Sequence, residues 1–132
     1  MTNKFSALVI DDSGEVRIIL TRFLKNFGFQ TIETADDGRS GVEKAKLLKP
    51  HIVVLDGMMP KLDGIKALPE IKKENPRTVV IVCSSLSDKE KVLQFKNAGA
   101  DFYILKPFNR EKVEEVVRQA LEIIENQPES AK

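Results

Sequence analysis

The sequence predicts an α/β fold, a (βα)5 doubly wound sheet of five parallel strands with helices on both faces. Strand-length apolar runs that are rich in β-branched residues alternate along the 132 residues with segments whose apolar residues recur at helical spacing. The strand-length runs are apolar at almost every position, which is typical of strands covered by helices on both sides. Strict alternation of the two patterns favours a parallel sheet.

Five runs are predicted as strands. Four of them are strongly apolar and bounded by turn residues, and they cover positions 7–10, 52–55, 78–83 and 102–105. The fifth run, at 31–35, is more polar. We predict that it forms an edge strand, because an edge is less buried than the centre of a sheet.

Capping and helix-breaking residues delimit the first two predicted helices. The first begins after Ser13, which can cap its N-terminus, and stops at Gly28. Apolar residues between them recur at helical spacing and end at Phe27. The second helix spans 38–49, because the proline at position 50 disfavours helical backbone in the residue before it.

The third and fourth helices carry weaker signals. The third is predicted over 64–74 with Asp63 as its cap, but Pro69 falls inside it and should kink the helix or delay its start. The fourth opens on the sequence Ser87-Asp88-Lys89-Glu90, which has the pattern of a capping box, and it stops at Gly99.

The fifth helix is predicted to start near Asn109. Its apolar residues form one stripe, at positions 113, 116, 117, 120, 121 and 124. The residues that follow are polar, and we expect a frayed tail at 126–132. We therefore expect one domain at 1–125, with no room for a second catalytic domain.

Composition excludes several classes of function. The chain is 42% hydrophobic and 31% charged, with a formal net charge of +1, so electrostatics does not favour nucleic acid or a membrane surface as a partner. Cys83 is the one cysteine, so no internal disulfide can form, and a reducing cytoplasm is the expected location. We find no signal-peptide pattern and no apolar run that approaches the roughly 18 residues of a membrane span.

Polar side chains follow four of the predicted strands. They are Asp11 and Asp12 after the first strand, Asp56 after the third, Ser84 and Ser85 after the fourth, and Lys106 and Pro107 after the fifth. In open α/β sheets, ligands bind beyond the carboxyl ends of the strands. The topology therefore predicts that carboxylates, a hydroxyl and an ammonium group meet at one edge of the sheet.

This combination of groups suits phosphoryl chemistry. Carboxylates at close range repel one another unless a cation lies among them, and hard oxygen ligands together with water suit Mg²⁺. A metal ion and a lysine can both neutralise the charge of a phosphoryl group. The cluster contains no histidine or cysteine nucleophile, so an aspartate is the expected nucleophile and an acyl phosphate the expected product.

Each residue also has a structural interpretation. An acid pair after a strand is usually a turn and a helix cap, and we interpret Asp36-Asp37 in that way because no other polar group points to it. We interpret Asp11-Asp12 as functional, because Asp56, Ser84 and Lys106 are expected at the same edge of the sheet. Tyr103 can be a half-buried core aromatic, a switch residue or both. His51 begins a strand and is not interpreted as a phosphotransfer histidine.

Five motifs follow one another along the chain: Asp11-Asp12, Val53-Val54-Leu55-Asp56-Gly57-Met58-Met59-Pro60-Lys61-Leu62-Asp63-Gly64, Val82-Cys83-Ser84-Ser85, Ala98-Gly99-Ala100 and Lys106-Pro107-Phe108. In this order and spacing, they resemble the receiver domain of bacterial response regulators, which has the CheY-like fold. The resemblance runs from about Phe5 to Ile124. The resemblance implies a flavodoxin-like sheet with strand order 2-1-3-4-5.

The resemblance also implies roles for the polar residues. Asp56 corresponds to the phosphoacceptor. Asp12 corresponds to a direct Mg²⁺ ligand, and Asp11 assists it, often through water. The backbone carbonyl of Met58 would be a further ligand. Lys106 would pair with the phosphoryl group.

Other positions would respond to phosphorylation. Ser84 would hydrogen-bond the phosphoryl group and move, and Tyr103 would change its rotamer in response. The resemblance implies a cis peptide bond between Lys106 and Pro107. Gly57 departs from the common pattern, because many members carry a bulkier apolar residue there.

The expected function is that of a single-domain response regulator. A sensor histidine kinase, a phosphotransfer protein or a small acyl phosphate would phosphorylate Asp56 with Mg²⁺ as the cofactor. The surface of the fourth helix, fifth strand and fifth helix would then bind a protein target. Met58 and Leu86 flank the expected path of water, so we predict slow self-dephosphorylation. The chain is expected to be a signalling protein rather than an enzyme, and a monomer or a phosphorylation-dependent dimer.

The pathway stays open at this stage. Flagellar switch control, an intermediate phosphorelay step and regulation of another kinase all fit. The rival functions are a flavodoxin-type cofactor module, a metal-dependent phosphohydrolase, and a receiver that works without phosphate. The first needs a phosphate-binding loop where this chain has Asp11-Asp12-Ser13, and the second needs a cap or pocket for which no residues remain.

Overall fold

One parallel sheet organises the chain in a computed structural model that describes residues 3–59 and 63–127. Its strands are β1 (Asn3–Ile10), β2 (Phe29–Ala35), β3 (Ile52–Asp56), β4 (Val79–Ser84) and β5 (Phe102–Leu105). All neighbours pair in parallel, in the order β2-β1-β3-β4-β5. The predicted fold class and strand order are therefore confirmed, and the polar second run is an edge strand.

Helices cover both faces of the sheet. They are α1 (Gly14–Asn26), α2 (Gly38–Leu48), α3 (Gly64–Glu74), α4 (Lys89–Ala98) and α5 (Arg110–Glu125). Apolar residues of α1 and α5 pack on one face, and those of α2, α3 and α4 pack on the other. Alternate strand residues supply each layer, because successive side chains of a strand point to opposite faces.

Most predicted helix starts are confirmed. Side chains of Ser13, Asp37 and Asn109 accept hydrogen bonds from backbone N–H groups in the first turns of α1, α2 and α5. The capping box predicted for α4 is wrong. Asp88, not Ser87, is the N-cap, and its Oδ1 accepts from the Glu90 N–H at 2.8 Å, so a carboxylate one residue further on replaces the hydroxyl.

Helix α3 departs from its prediction in two details. Asp63 occupies the N-cap position, but its side chain makes no capping hydrogen bond. The helix runs through Pro69 and begins at Gly64, so the proline does not delay its start. Pro69 is the sixth residue of α3, so it removes a hydrogen bond that an N–H at this position would donate within the helix. Burial of Ala67, Leu68 and Ile71 around it offsets this loss.

The last described residues lie near the start of β4, at the edge of the sheet opposite the strands' carboxyl ends. The Gln127 side chain donates to the Arg77 carbonyl at 2.9 Å. From residue 128 onwards the predicted tail lies outside the described residues, as do motif residues 60–62. None of the helices that the structure describes is long and apolar enough to cross a membrane. Cys83 is buried, and burial raises the pKa of its thiol to about 12, so it acts as an apolar core residue.

Candidate functional site

Three carboxylates meet at the carboxyl edge of the sheet. Asp11 directly follows β1 and Asp56 ends β3, and these two strands are neighbours. Carboxylate oxygens of Asp11, Asp12 and Asp56 all lie within 4.8 Å of one another. Asp11 and Asp56 are only 1% and 5% exposed, while Asp12 is exposed. Of the three carboxylates, only that of Asp12 therefore faces solvent.

Lys106 brings a cation into this cluster from the end of β5. Its Nζ lies 2.9 Å from Asp11 Oδ2 and 3.7 Å from Asp56 Oδ1. Burial by itself would lower the pKa of this ammonium, but the hydrogen bond and charge of Asp11 and the charge of Asp56 raise it above its ordinary value. Lys106 therefore stays protonated. The peptide bond between Lys106 and Pro107 is cis.

The site disturbs the ionisation of Asp56. Burial raises the pKa of the Asp56 carboxyl to about 6, and the charge of Asp11 acts in the same direction. The Met58 N–H, which donates to Asp56 Oδ1 at 3.1 Å, and the charge of Lys106 oppose this increase. One lysine does not compensate three carboxylates. A divalent cation with hard oxygen ligands, such as Mg²⁺, fits this excess of negative charge.

Ser84, at the end of β4, and Tyr103, within β5, both hydrogen-bond to Leu86. Ser84 ends β4 and is 1% exposed, and its Oγ accepts a hydrogen bond from the Leu86 N–H at 3.2 Å. The Tyr103 hydroxyl donates to the Leu86 carbonyl at 2.6 Å. The two side chains therefore hold opposite sides of the same backbone segment. Both interpretations of Tyr103 remain compatible, since its ring is half-buried and its hydroxyl reaches the loop beside Ser84.

The structure adds three close contacts that sequence reasoning missed. A Cβ atom on Gly64 would lie 2.5 Å from the Asp56 carbonyl oxygen, so only glycine lets α3 start this close to β3. A Cβ atom on Gly57 would lie 2.8 Å from Ser84 Oγ. The Arg17 guanidinium donates to the Asp11 carbonyl at 2.7 Å. The Asp-Gly pair before an apolar helical pattern was a signal for the first contact, whereas no pattern predicted the others.

The opposite edge of the sheet holds a wider cavity with different chemistry. It has a volume of about 440 Å³ and is lined by Lys4, Lys49 and Arg77 near the ends of α2, α3 and α5. Cations near helix C-termini offset the negative end of the helix dipole, which explains them without a ligand. His51 accepts a hydrogen bond from the Ser6 N–H at 3.1 Å, and burial lowers the pKa of its imidazole. A neutral, hydrogen-bonded His51 fits its structural interpretation.

Comparisons with known proteins point to one family. A family model for the response regulator receiver domain matches residues 7–118. The chain is 38% identical over 112 residues to the chemotaxis protein CheY of Thermotoga maritima, which covers 85% of this chain and 93% of that protein. It is 35% identical over 114 residues to CheY of Bacillus subtilis, covering 86% and 95% of the two.

A solved structure agrees with these relatives. The complex of CheX and CheY with BeF3 and Mg²⁺ from Borrelia burgdorferi contains a chain with a TM-score of 0.83 and 36% identity, and the match covers 89% of each chain. Sequence and fold therefore agree over the same part of the chain, which includes the carboxylate cluster and Lys106. The chain belongs to the response regulator receiver domain family.

Proposed function

We propose that this chain, with a receiver domain at 1–125, is a response regulator that accepts a phosphoryl group on Asp56. The donor would be a phosphohistidine of a sensor kinase or phosphotransfer protein, or a small acyl phosphate. One observation carries the proposal: the Lys106 ammonium lies 2.9 Å from Asp11 and 3.7 Å from Asp56 within a cluster of three carboxylates. A cation beside a buried nucleophilic carboxylate suits transfer of a charged group.

The chemistry forms one bond and breaks one. A carboxylate oxygen of Asp56 bonds to phosphorus while the bond from phosphorus to the donor atom breaks; this atom is a nitrogen in phosphohistidine and an oxygen in an acyl phosphate. The electron pair stays on the donor atom. The nitrogen takes up a proton from solvent, whereas the oxygen leaves as part of a carboxylate. The Lys106 ammonium, protonated throughout, stabilises the charge on the transferred phosphoryl oxygens. Asp56 thereby becomes an acyl phosphate, and the chain acts as a signalling protein that assists its own modification.

Mg²⁺ is the proposed cofactor of this step. When bound, Mg²⁺ would neutralise phosphoryl charge alongside Lys106. Asp12, Asp56 and the backbone carbonyl of Met58 are the proposed direct ligands. Both oxygens of Asp11 already accept hydrogen bonds, from the Ser13 N–H at 2.9 Å and from Lys106. This arrangement supports a role for Asp11 through water.

Ser84 and Tyr103 are the proposed switch. Ser84 would exchange its hydrogen bond from the Leu86 N–H for one that it donates to the phosphoryl group. Tyr103 would respond at the other side of that segment, and the surface of α4, β5 and α5 would change its affinity for a protein target. Leu93 and Leu105 are 56% and 48% exposed on this surface, which supports protein binding there. Phosphorylation would shift a population between two states.

Chemotaxis is the proposed pathway, since both relatives compared above are chemotaxis proteins. The CheY chain of Borrelia burgdorferi was solved in complex with CheX, so a partner of that kind is a candidate. We propose a cytoplasmic protein that is a monomer or a phosphorylation-dependent dimer. Neither a nucleic acid nor a membrane is part of this proposal.

The first experiment measures phosphoryl uptake by the wild-type protein. After incubation with acetyl phosphate and Mg²⁺, we expect intact-mass analysis to show one phosphoryl adduct per chain, and EDTA to prevent it. Peptide mapping should place the adduct in the segment that contains Asp56. Mg²⁺ binding without any adduct, from acetyl phosphate or from a phosphorylated kinase, would contradict the proposal. Turnover of an external phosphoester would instead favour a phosphohydrolase.

A second prediction concerns the lifetime of the phosphoryl group. Met58 is 56% exposed, Leu86 is half-buried, and both border a cavity of about 190 Å³ beside Gly57. Neither side chain can position a water molecule by hydrogen bonding, so we expect slow hydrolysis. Met58→Asn and Leu86→Glu should each accelerate loss of the adduct roughly tenfold, which is less than the roughly 100-fold that a fully positioned acid or base contributes.

The adduct's decay, followed by intact mass after removal of acetyl phosphate, measures this rate. Leu93→Glu is the matched control, because it places the same carboxylate on an exposed leucine of α4. Fast hydrolysis in the wild type that both variants leave unchanged would show that these two positions do not limit access of water.

A further inference from the structure

The Phe95 ring lies against the residue that follows the phosphoacceptor. Phe95 belongs to α4 and is 3% exposed. A Cβ atom on Gly57 would stand 3.0 Å from the ring's Cζ and 2.9 Å from Ser84 Cβ, so a larger residue there requires the ring and Ser84 to shift. The ring of Phe95 and the side chain of Ser84 therefore occupy the volume that any larger residue at position 57 would need.

The same ring also contacts the proposed switch. The ring centroids of Phe95 and Tyr103 are 5.8 Å apart, with the planes inclined at 55°. This distance lies within the range of attractive aromatic pairs. Tyr103 is thus held on two sides, by the Leu86 carbonyl at its hydroxyl and by Phe95 at its ring. One side chain of α4 bridges the backbone beside Asp56 and the tyrosine of β5.

We propose that Phe95 is a positioning residue that couples the phosphoacceptor loop to Tyr103, and that Gly57 is what allows its ring to reach that loop. The proposal deepens the proposed function and rests on it. Ser84 and Phe95 border the same space at Gly57, so a shift of Ser84 toward a phosphoryl group changes the packing of the ring. The ring then passes this change to Tyr103 and to α4.

Tyr103 supplies a direct optical signal for the test. It is the chain's one tyrosine, and the chain has no tryptophan, so near-ultraviolet-excited emission reports on Tyr103 alone. The variants are Phe95→Ala, which removes the ring, and Phe95→Leu, which keeps an apolar side chain but shortens its reach to Gly57. Leu47→Ala is the control, since it shortens an exposed leucine of α2, outside the proposed target surface. Circular dichroism establishes that each variant is folded.

The first measurement needs no phosphate. In the unphosphorylated protein, we expect acrylamide to quench Tyr103 more strongly in Phe95→Ala. Loss of the aromatic pair should lower roughly fivefold the ratio of Tyr103 held at the Leu86 carbonyl to Tyr103 released from it. Phe95→Leu should give an intermediate value and Leu47→Ala the wild-type value. Equal quenching in wild type and Phe95→Ala would overturn the proposed contact.

The second measurement tests coupling. With acetyl phosphate and Mg²⁺, we expect Phe95→Ala to gain the adduct at a rate within about threefold of wild type, while its change in Tyr103 emission per phosphorylated chain falls roughly fivefold. A wild-type emission change in Phe95→Leu would show that Phe95 only fills space in the core, and it would overturn the coupling role.

These results separate the two proposals. If wild type forms no adduct, the proposed function fails, and the coupling that rests on it fails with it. If the adduct forms and every variant shows the wild-type emission change per phosphorylated chain, the proposed function stands and only the role of Phe95 is overturned.

Discussion

Replacing Asp56 with asparagine is expected to abolish phosphoryl uptake, with a rate at least about a thousandfold lower than that of wild type. An amide oxygen is a poor nucleophile, and the other two carboxylates cannot take over. Asp11 is occupied by Lys106, and Asp12 is exposed at the outer side of the cluster. Intact mass after incubation with acetyl phosphate and Mg²⁺ measures the effect.

Asp36→Asn is the matched control, because Asp36 also follows a strand of the sheet and is exposed. It should gain the adduct as wild type does. Uptake at the wild-type rate in Asp56→Asn would show that another residue is the phosphoacceptor.

The same substitution should stabilise the metal-free protein, which separates loss of chemistry from loss of folding. Burial raises the Asp56 pKa from 3.8 to about 6, so the folded state disfavours the charged form. Ionised Asp56 therefore destabilises the folded wild type, and this destabilisation reaches its full size above about pH 6. It disappears as the pH falls toward 4, where the carboxyl is protonated in the folded state. After allowance for solvent and Lys106, Asp56→Asn should gain about 1–2 kcal/mol above pH 6. Urea unfolding at pH 4 and pH 8 measures the difference.

Replacing Lys106 with methionine is expected to slow phosphorylation of Asp56 by roughly 100- to 1000-fold, the effect of removing one group aimed at developing charge. Methionine keeps an unbranched apolar chain but lacks the ammonium that lies 2.9 Å from Asp11 and 3.7 Å from Asp56. The phosphoryl oxygens would then lose their one fixed cationic neighbour among the residues assigned to the site. Time courses of adduct formation at fixed acetyl phosphate and Mg²⁺ measure the rate.

Two comparisons make this result specific. Lys112→Met removes a lysine that is exposed on α5 and should leave the rate unchanged. Lys106→Arg keeps the charge but replaces a compact ammonium with a planar fork, so an intermediate rate is expected. A wild-type rate in Lys106→Met would remove Lys106 from the mechanism.

The sequence predicted the carboxylate cluster because only local information was needed. Apolar runs ending in Asp11, Asp56 and Ser84 identify strands and the first residue beyond each of them. The carboxyl ends of parallel strands meet at one edge, so naming these residues was enough to place them together. Lys106 lies at the same edge for the same reason, although it follows β5, which borders the sheet beside β4 and is not a neighbour of β1 or β3.

Sequence patterns were less informative where either of two adjacent residues could cap the same helix. Ser87 and Asp88 both suit an N-cap, and the choice of Asp88 depends on the backbone path into α4. Pro69 illustrates the opposite limit. Its local preference disfavours a helix, but burial of Ala67, Leu68 and Ile71 against the sheet holds α3 together through it.

The sequence by itself therefore determined the order of elements, the two-sided cover of the sheet and the residues at its carboxyl edge, since these follow from periodicity and chain direction. Only the tertiary structure decided the contacts of Tyr103 with Leu86 and Phe95, the approach of α3 to Asp56 at Gly64 and the contact of Phe95 with Gly57. Periodicity tells which face of a helix is buried. It does not tell which side chain fills a given space, because that depends on the distance between elements distant in sequence.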